Sequence, residues 1–191
     1  MNKLIINKKK TMNKLFDDRL LVQKERPTKI TEQQEEKMFS DLAKEVIEYQ
    51  YSSDDEETIA EDLKELSIND SGFEKAKYLD EKSFCGYTFE GDFIDWLDNM
   101  EYKRRSILTE NIKLWVEAHN ILPLYKIGTE LVIKNSISHD KALQKESIIF
   151  INGYNEKEAK YHVSSKKEDT RNFIIEYERV ELNCDLITLV F

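Results

Sequence analysis

Three helix-start signals follow one another in the first half of the chain, and they constrain its fold more than any other feature. In each, a Ser or Thr hydroxyl can accept a hydrogen bond from the backbone N–H three residues later, where a Glu or Gln side chain can return a bond to the cap. The pairs are Thr31 with Gln34, Ser53 with Glu56, and Ser71 with Glu74. Three such starts in succession predict a helical region.

Apolar residues behind these starts recur three or four positions apart, which is the spacing of one buried helix face. The three sets are Met38, Phe39, Leu42, Ala43, Val46 and Ile47; Ile59, Leu63 and Leu66; and Phe73, Ala76 and Leu79. The same spacing returns between Phe89 and His119. That helical stretch should end near Asn120, because Asn tolerates the left-handed conformation of a helix end and Pro123 cannot continue a helix.

The pattern changes from Tyr125 onward to short β-branched and aromatic runs separated by polar turns. The predicted strands cover residues 131–133, 147–151, 160–163, 173–177 and 187–191. Strands this short suit a small barrel or a strongly twisted sheet, in which few strand edges are exposed. We therefore predict an α+β protein, with a helical region followed by a small β-rich module.

The rhythm of the β-rich part supports a more specific expectation. It begins at Gly128-Thr129, continues with a first strand and a longer loop, and closes with three nearer strands that end at Val180-Glu181-Leu182. This spacing resembles SH3-like and Tudor-like barrels, and the resemblance implies a binding platform. The patterns together divide the chain into a basic, poorly ordered arm over residues 1–30, an acidic helical domain over 31–122 and a barrel-like module over 123–191.

The negative charge of the chain is concentrated in its middle. Of the net charge of −9, residues 1–40 carry +4, residues 41–101 carry −14 and residues 102–191 carry +1. A field of this kind disfavours phosphate backbones and anionic membranes, and it favours a basic partner.

Motifs that would carry enzyme chemistry are sparse. Five glycines argue against a Gly-rich phosphate loop, the three histidines lie far apart, and Cys85 and Cys184 lack zinc-ligand spacing. The sequence has no apolar stretch of the length of a secretory signal or a membrane span. We therefore predict a cytoplasmic protein with reduced thiols that is not an enzyme, has no membrane partner and needs no cofactor.

The densest carboxylate set consists of Glu90, Asp92, Asp95 and Asp98. A divalent cation would need further oxygen ligands from a second element. The apolar residues between these acids indicate an exposed helix face opposite a buried one, so we predict no metal site.

Acidic residues on capped helices give the functional hypothesis. Carboxylates held on rigid helices can imitate nucleic-acid phosphates and occupy the basic groove of a protein that handles nucleic acids. In size and charge the chain resembles small phage-encoded inhibitors of restriction or CRISPR systems, and the resemblance implies an anti-CRISPR type of inhibitor. We predict a non-enzymatic protein that binds a basic protein or nucleoprotein. The predicted partner-binding residues are Asp54, Asp55, Glu56, Glu57, Glu61, Asp62, Asp92, Asp95 and Asp98.

Three alternatives stay open. The acidic face can simply keep a helical domain soluble, and a carboxylate-dependent enzyme would need Asp92, Asp95 and Asp98 to converge on a pocket. In the third, basic and aromatic residues of the β-rich half bind nucleic acid by stacking on bases and contacting phosphates. The residues of that alternative are Tyr154, Lys157, Lys160, Lys166, Lys167 and Arg171.

Overall fold

A computed structural model of the chain describes residues 25–67, 69–82, 86–138, 140–167 and 172–183. Most of the predicted N-terminal arm and the predicted strand over 187–191 lie outside these residues, as do Cys85, Cys184 and Arg171. The chain divides into two compact units, Met1–Asn111 and Ile112–Phe191. The domain boundary that we predict at residue 122 stays a prediction.

The described residues contain four α-helices followed by a five-stranded antiparallel sheet, which confirms the α+β class. The helices are α1 Glu32–Glu48, α2 Glu56–Glu65, α3 Gly72–Lys82 and α4 Gly91–His119. The strands are β1 Glu130–Ile133, β2 Ile148–Asn155, β3 Lys160–Ser164, β4 Phe173–Glu176 and β5 Val180–Leu182.

Two of the three predicted helix starts are confirmed. The hydroxyl of Thr31 accepts the Gln34 N–H at 3.3 Å, and the Gln34 side chain accepts the Thr31 N–H at 3.1 Å. The same reciprocal pair joins Ser71 and Glu74. Both boxes therefore satisfy free N–H groups in the first turns of α1 and α3.

The predicted cap at Ser53 is wrong. The cap of α2 is Asp55, whose carboxylate accepts the N–H groups of Glu57 and Thr58 at 3.0 Å each. Ser53 is held in an extended segment instead, since its N–H donates to the carbonyl of Gly86 and its neighbour Ser52 forms a β-bridge with Tyr87. Tertiary pairing thus starts the helix two residues later than the sequence pattern predicts.

The helices of the first unit bury one apolar cluster. Its fully buried members include Leu42, Val46, Ile59, Leu63, Leu79, Phe93 and Leu97. The predicted inward position of Phe73 is wrong, because this side chain is 67% exposed. The buried face of α3 consists of Gly72, Lys75, Ala76 and Leu79, and Phe73 lies off that face. Lys75 is buried with its Nζ donating to the carbonyl of Leu97 at 3.1 Å.

The C-terminal ends of α1 and α4 are each followed by a residue in the left-handed conformation. At the end of α4, Asn120 has φ 50°, and the Ile121 N–H donates to the carbonyl of Val116, which confirms the predicted stop. At the end of α1, Gln50 has φ 59°, and the Tyr51 N–H donates to the carbonyl of Val46 at 2.9 Å. Gln is an unfavourable residue in this conformation, because its Cβ crowds the backbone.

Gln50→Gly should raise the free energy of unfolding by about 1 kcal/mol, because glycine adopts positive φ without that crowding. Thermal and urea unfolding measure the change. Gln33→Gly, inside the first turns of α1, is the matched control and should lower stability by up to about 1 kcal/mol. Equal stability of the Gln50 variant and the wild type would contradict strain at this turn.

The sheet of the second unit has the strand order β4-β3-β2-β1-β5. A 3₁₀ turn, Tyr177–Arg179, links β4 to β5, which pairs with β1 at the opposite edge. The core on one face includes Leu131, Ile133, Ile149, Ile151, Tyr161, Val163, Ile175 and Val180. Among the described residues β4 and β5 are not paired with each other, so the barrel and its SH3-like resemblance stay predictions.

The Tyr161 hydroxyl fixes the segment that precedes this sheet. Its ring is buried, and its oxygen accepts the N–H groups of Leu124 at 3.1 Å and of Tyr125 at 3.2 Å. Burial raises the pKa of the phenol, although the two N–H donors favour its ionised form. One buried oxygen therefore satisfies two backbone donors.

Tyr161→Phe should lower the free energy of unfolding by about 2 kcal/mol, because both N–H groups lose their acceptor. Hydrogen exchange at the amides of Leu124 and Tyr125, together with urea unfolding, measures the effect. Tyr125→Phe is the control and should change little. Unchanged exchange at both amides in the Tyr161 variant would show that water replaces the phenol without loss.

Candidate functional site

An open acidic groove lies between α1 and α2. It is lined by Glu36, Ser40, Glu56, Glu57, Ala60, Glu61 and Lys64, and we call these residues the acidic groove. Three of its carboxylates, Glu56, Glu57 and Glu61, belong to the predicted partner-binding set. Sequence reasoning missed Glu36, which lies in a segment of positive net charge. Glu36 lies four residues before Ser40 on α1, and this spacing puts both side chains on the same helix face. That spacing is a signal that could have placed Glu36 in the groove.

The carboxylates of the acidic groove differ in how far they are neutralised. Glu56 accepts the Ser40 hydroxyl at 2.7 Å and lies 3.4 Å from the Lys44 ammonium, and these contacts lower its pKa. Within the described part of the chain, the carboxylates of Glu36, Glu57 and Glu61 have neither a hydrogen-bond nor an ion-pair partner. Together they outnumber Lys64, the cation that also lines the groove, so the groove presents a net negative charge to another molecule.

Three other predicted acids act within the fold. Asp55 caps α2, and the N–H and hydroxyl of Thr58 lower the pKa of its carboxyl group. Asp54 accepts the Ser52 hydroxyl at 3.4 Å. Asp62 accepts the Tyr87 hydroxyl at 3.1 Å and lies 3.5 Å from the Lys82 ammonium. Partial burial, and then the charge of Asp62, raise the pKa of the Tyr87 phenol.

The acids of α4 do not converge on one point. Asp92 accepts the Tyr51 hydroxyl at 3.1 Å, and Asp98 accepts the N–H of Gly72. Asp95, which is exposed, has no such partner among the described residues. The two bonded aspartates thus tie α4 to different segments of the chain. The enzyme alternative stays a prediction.

Basic residues of α4 neutralise part of the acidic region. Lys103 pairs with Glu45, and Arg104 pairs with Glu35. Arg105 lies 3.5 Å from Glu101, one helical turn away. The first two pairs join α4 to α1, so the net charge of a sequence block overstates the charge that faces outward.

The alternative nucleic-acid residues lie in the second unit. Tyr154 is half-buried, with its hydroxyl donating to the carbonyl of Tyr125 at 3.2 Å, and Lys160 pairs with Glu158 at 2.8 Å. The exposed members are Lys157, Lys166 and Lys167. Arg171 lies outside the described residues. The one aromatic ring of this set, that of Tyr154, is therefore partly buried in the second unit and only partly accessible to a base.

Among the described residues, no three His, Cys, Asp or Glu side chains come close enough to hold a metal ion. None of the described helices combines the length and the apolar character that a bilayer span requires.

Comparison of the chain with protein-family models, curated proteins and solved structures gives no match. The function is therefore inferred from the residues of this chain alone.

Proposed function

We propose that this is a non-enzymatic binding protein that docks on a basic macromolecular partner through the acidic groove. The observation that carries the proposal is the set of unpartnered carboxylates, Glu36, Glu57 and Glu61, on two helices that pack together. Because opposite charge steers encounter and sets register, such a set suits a partner with a basic groove.

The helices that carry these carboxylates are well supported. The capping box at Thr31 and the carboxylate cap at Asp55 fix the starts of α1 and α2, and the Ser40–Glu56 hydrogen bond joins the two helices. Leu42 and Leu63 anchor them in the core. The backbone of such helices loses little conformational entropy on binding, so the ordering cost is confined largely to the glutamate side chains.

This arrangement supports an inhibitor that imitates nucleic-acid phosphates. The partner would be a protein or nucleoprotein that handles nucleic acid through a basic groove, as restriction and CRISPR-like machines do. Carboxylates held at fixed positions would compete there with the phosphate backbone.

The nucleic-acid alternative remains a second candidate for the second unit. Lys157, Lys166 and Lys167 are exposed and can contact phosphates. The half-buried ring of Tyr154 offers less stacking surface than an exposed ring would. The soluble-face alternative, in contrast, requires no partner.

Binding assays with two charged probes distinguish the proposed acidic binding protein from the nucleic-acid-binding alternative. Labelled octa-arginine peptide and a labelled single-stranded oligonucleotide are titrated with the protein at about 50 mM and about 500 mM salt. We expect the peptide to bind, with an affinity that falls as the salt concentration rises, and the oligonucleotide to stay free. Retention of the oligonucleotide would favour the alternative, and binding of neither probe would overturn the proposal.

A further inference from the structure

A run of aromatic ring contacts extends from the core of the first unit to its surface. The buried ring of Phe93 stacks on the Tyr51 ring at 4.6 Å, with 29° between their planes. The Tyr51 ring lies 5.7 Å from that of Tyr49 in a tilted arrangement, at 36°. Tyr49 ends this run and is 57% exposed. An exposed ring that rests against another ring offers an apolar face to a partner.

The backbone holds the two tyrosines in place. Tyr49 is the last residue before the left-handed Gln50, and the Tyr51 N–H donates to the carbonyl of Val46. The carbonyl of Tyr51 accepts the N–H of Thr88 at 2.6 Å, which ties the turn to the segment before α4. The backbone that carries the two rings is thus held from two sides.

Carboxylates lie near the Tyr51 ring. The Tyr51 hydroxyl donates to Asp92 at 3.1 Å. Partial burial raises the pKa of the Tyr51 phenol, with further contributions from Asp92, Tyr49 and Glu90, so these groups act on one another. Glu48 and Glu90 are exposed, and neither has an ion-pair partner in the described part of the chain. The field beside the rings is therefore negative.

We propose that the Tyr49 ring is a stacking platform for an arginine side chain of the basic partner. This inference rests on the proposed function. A guanidinium group can lie flat on an aromatic face. The negative charges of Asp92 and Glu90, which act on the adjacent Tyr51, favour a cation in this region. A lysine ammonium is a compact, strongly hydrated charge and gains less from the ring. A nucleobase could stack equally well, but the carboxylates would repel its phosphates.

Another exposed tyrosine of the first unit gives a control. Tyr102 is 73% exposed and lies on α4 between Glu101 and Lys103, which both have ion-pair partners. It contributes to no ring pair among the described residues. Removing its ring therefore changes exposed aromatic area without changing the proposed platform.

The test compares octa-arginine with octa-lysine peptide on the full chain at about 50 mM salt. Tyr49→Ala should raise the Kd for octa-arginine about two- to five-fold and change that for octa-lysine less. Tyr49→Phe should keep the arginine preference, and Tyr102→Ala should leave both Kd values unchanged.

The possible failures are distinguishable. If neither peptide binds the wild type, the proposed function and this inference both fail. If both peptides bind but Tyr49→Ala does not reduce the arginine preference, only the platform is overturned. If Tyr49→Ala instead weakens binding of a single-stranded oligonucleotide, the ring stacks on bases and the arginine assignment is wrong.

Discussion

Gly72→Ala should lower the free energy of unfolding of the first unit by about 3 kcal/mol. A Cβ on Gly72 would lie 2.2 Å from the carbonyl oxygen of Ile94 and 2.9 Å from the carboxyl carbon of Asp98. The first contact is with backbone inside α4, so a rotamer change cannot relieve it. Relief requires α3 to move away from α4, which also weakens the bond from the Gly72 N–H to Asp98.

Urea unfolding followed by circular dichroism measures this loss. Gly91→Ala is the matched control, because a Cβ there meets nothing within 4 Å. At the first position of α4, alanine should leave stability equal or slightly higher. If Gly72→Ala unfolds within about 0.5 kcal/mol of the wild type, α3 and α4 do not approach as closely as this structure shows.

Local signals predicted the helical architecture well. The caps at Thr31 and Ser71 and the left-handed stop at Asn120 depend on residues within one or two turns, and the structure confirms all three. The cap at Ser53 was wrong because its competitor is a long-range β-bridge between Ser52 and Tyr87. Such a bridge leaves no trace in a local pattern.

The same distinction applies to the acids. Helical spacing places Glu57 and Glu61 on the solvent side of α2, as the structure does. It cannot show that Asp62 bonds to Tyr87 or that Asp98 bonds to Gly72, because those partners come from other helices or loops. Charge counting alone therefore assigns outward roles to acids that support the fold.

This difference decides which substitutions test the groove. Reversing Asp55 would remove the cap of α2, and reversing Glu56 would break its contacts with Ser40 and Lys44. Lost binding would then be ambiguous, because the helix itself would weaken. Glu57 and Glu61 largely avoid this problem, since neither carboxylate has an intramolecular partner among the described residues. Glu57 lies in the first turn of α2, so its reversal costs about 0.3–1 kcal/mol of helix-dipole stabilisation.

Glu57→Lys combined with Glu61→Lys should raise the Kd for octa-arginine peptide about thirty-fold at about 50 mM salt. Each reversal replaces an attraction of about 0.5 kcal/mol with a repulsion of similar size, which gives about 1 kcal/mol for each site and about 2 kcal/mol for the pair. The increase in Kd should be smaller at about 500 mM salt, because screening weakens both the attraction and the repulsion. Asp70→Lys combined with Asp80→Lys makes the same change in net charge at exposed positions outside the acidic groove and is the control. Equal losses in the two double variants would show that overall charge, and not the groove, attracts the partner. A loss confined to the Glu57 and Glu61 variant, with that variant still fully folded at the assay temperature, locates binding between α1 and α2.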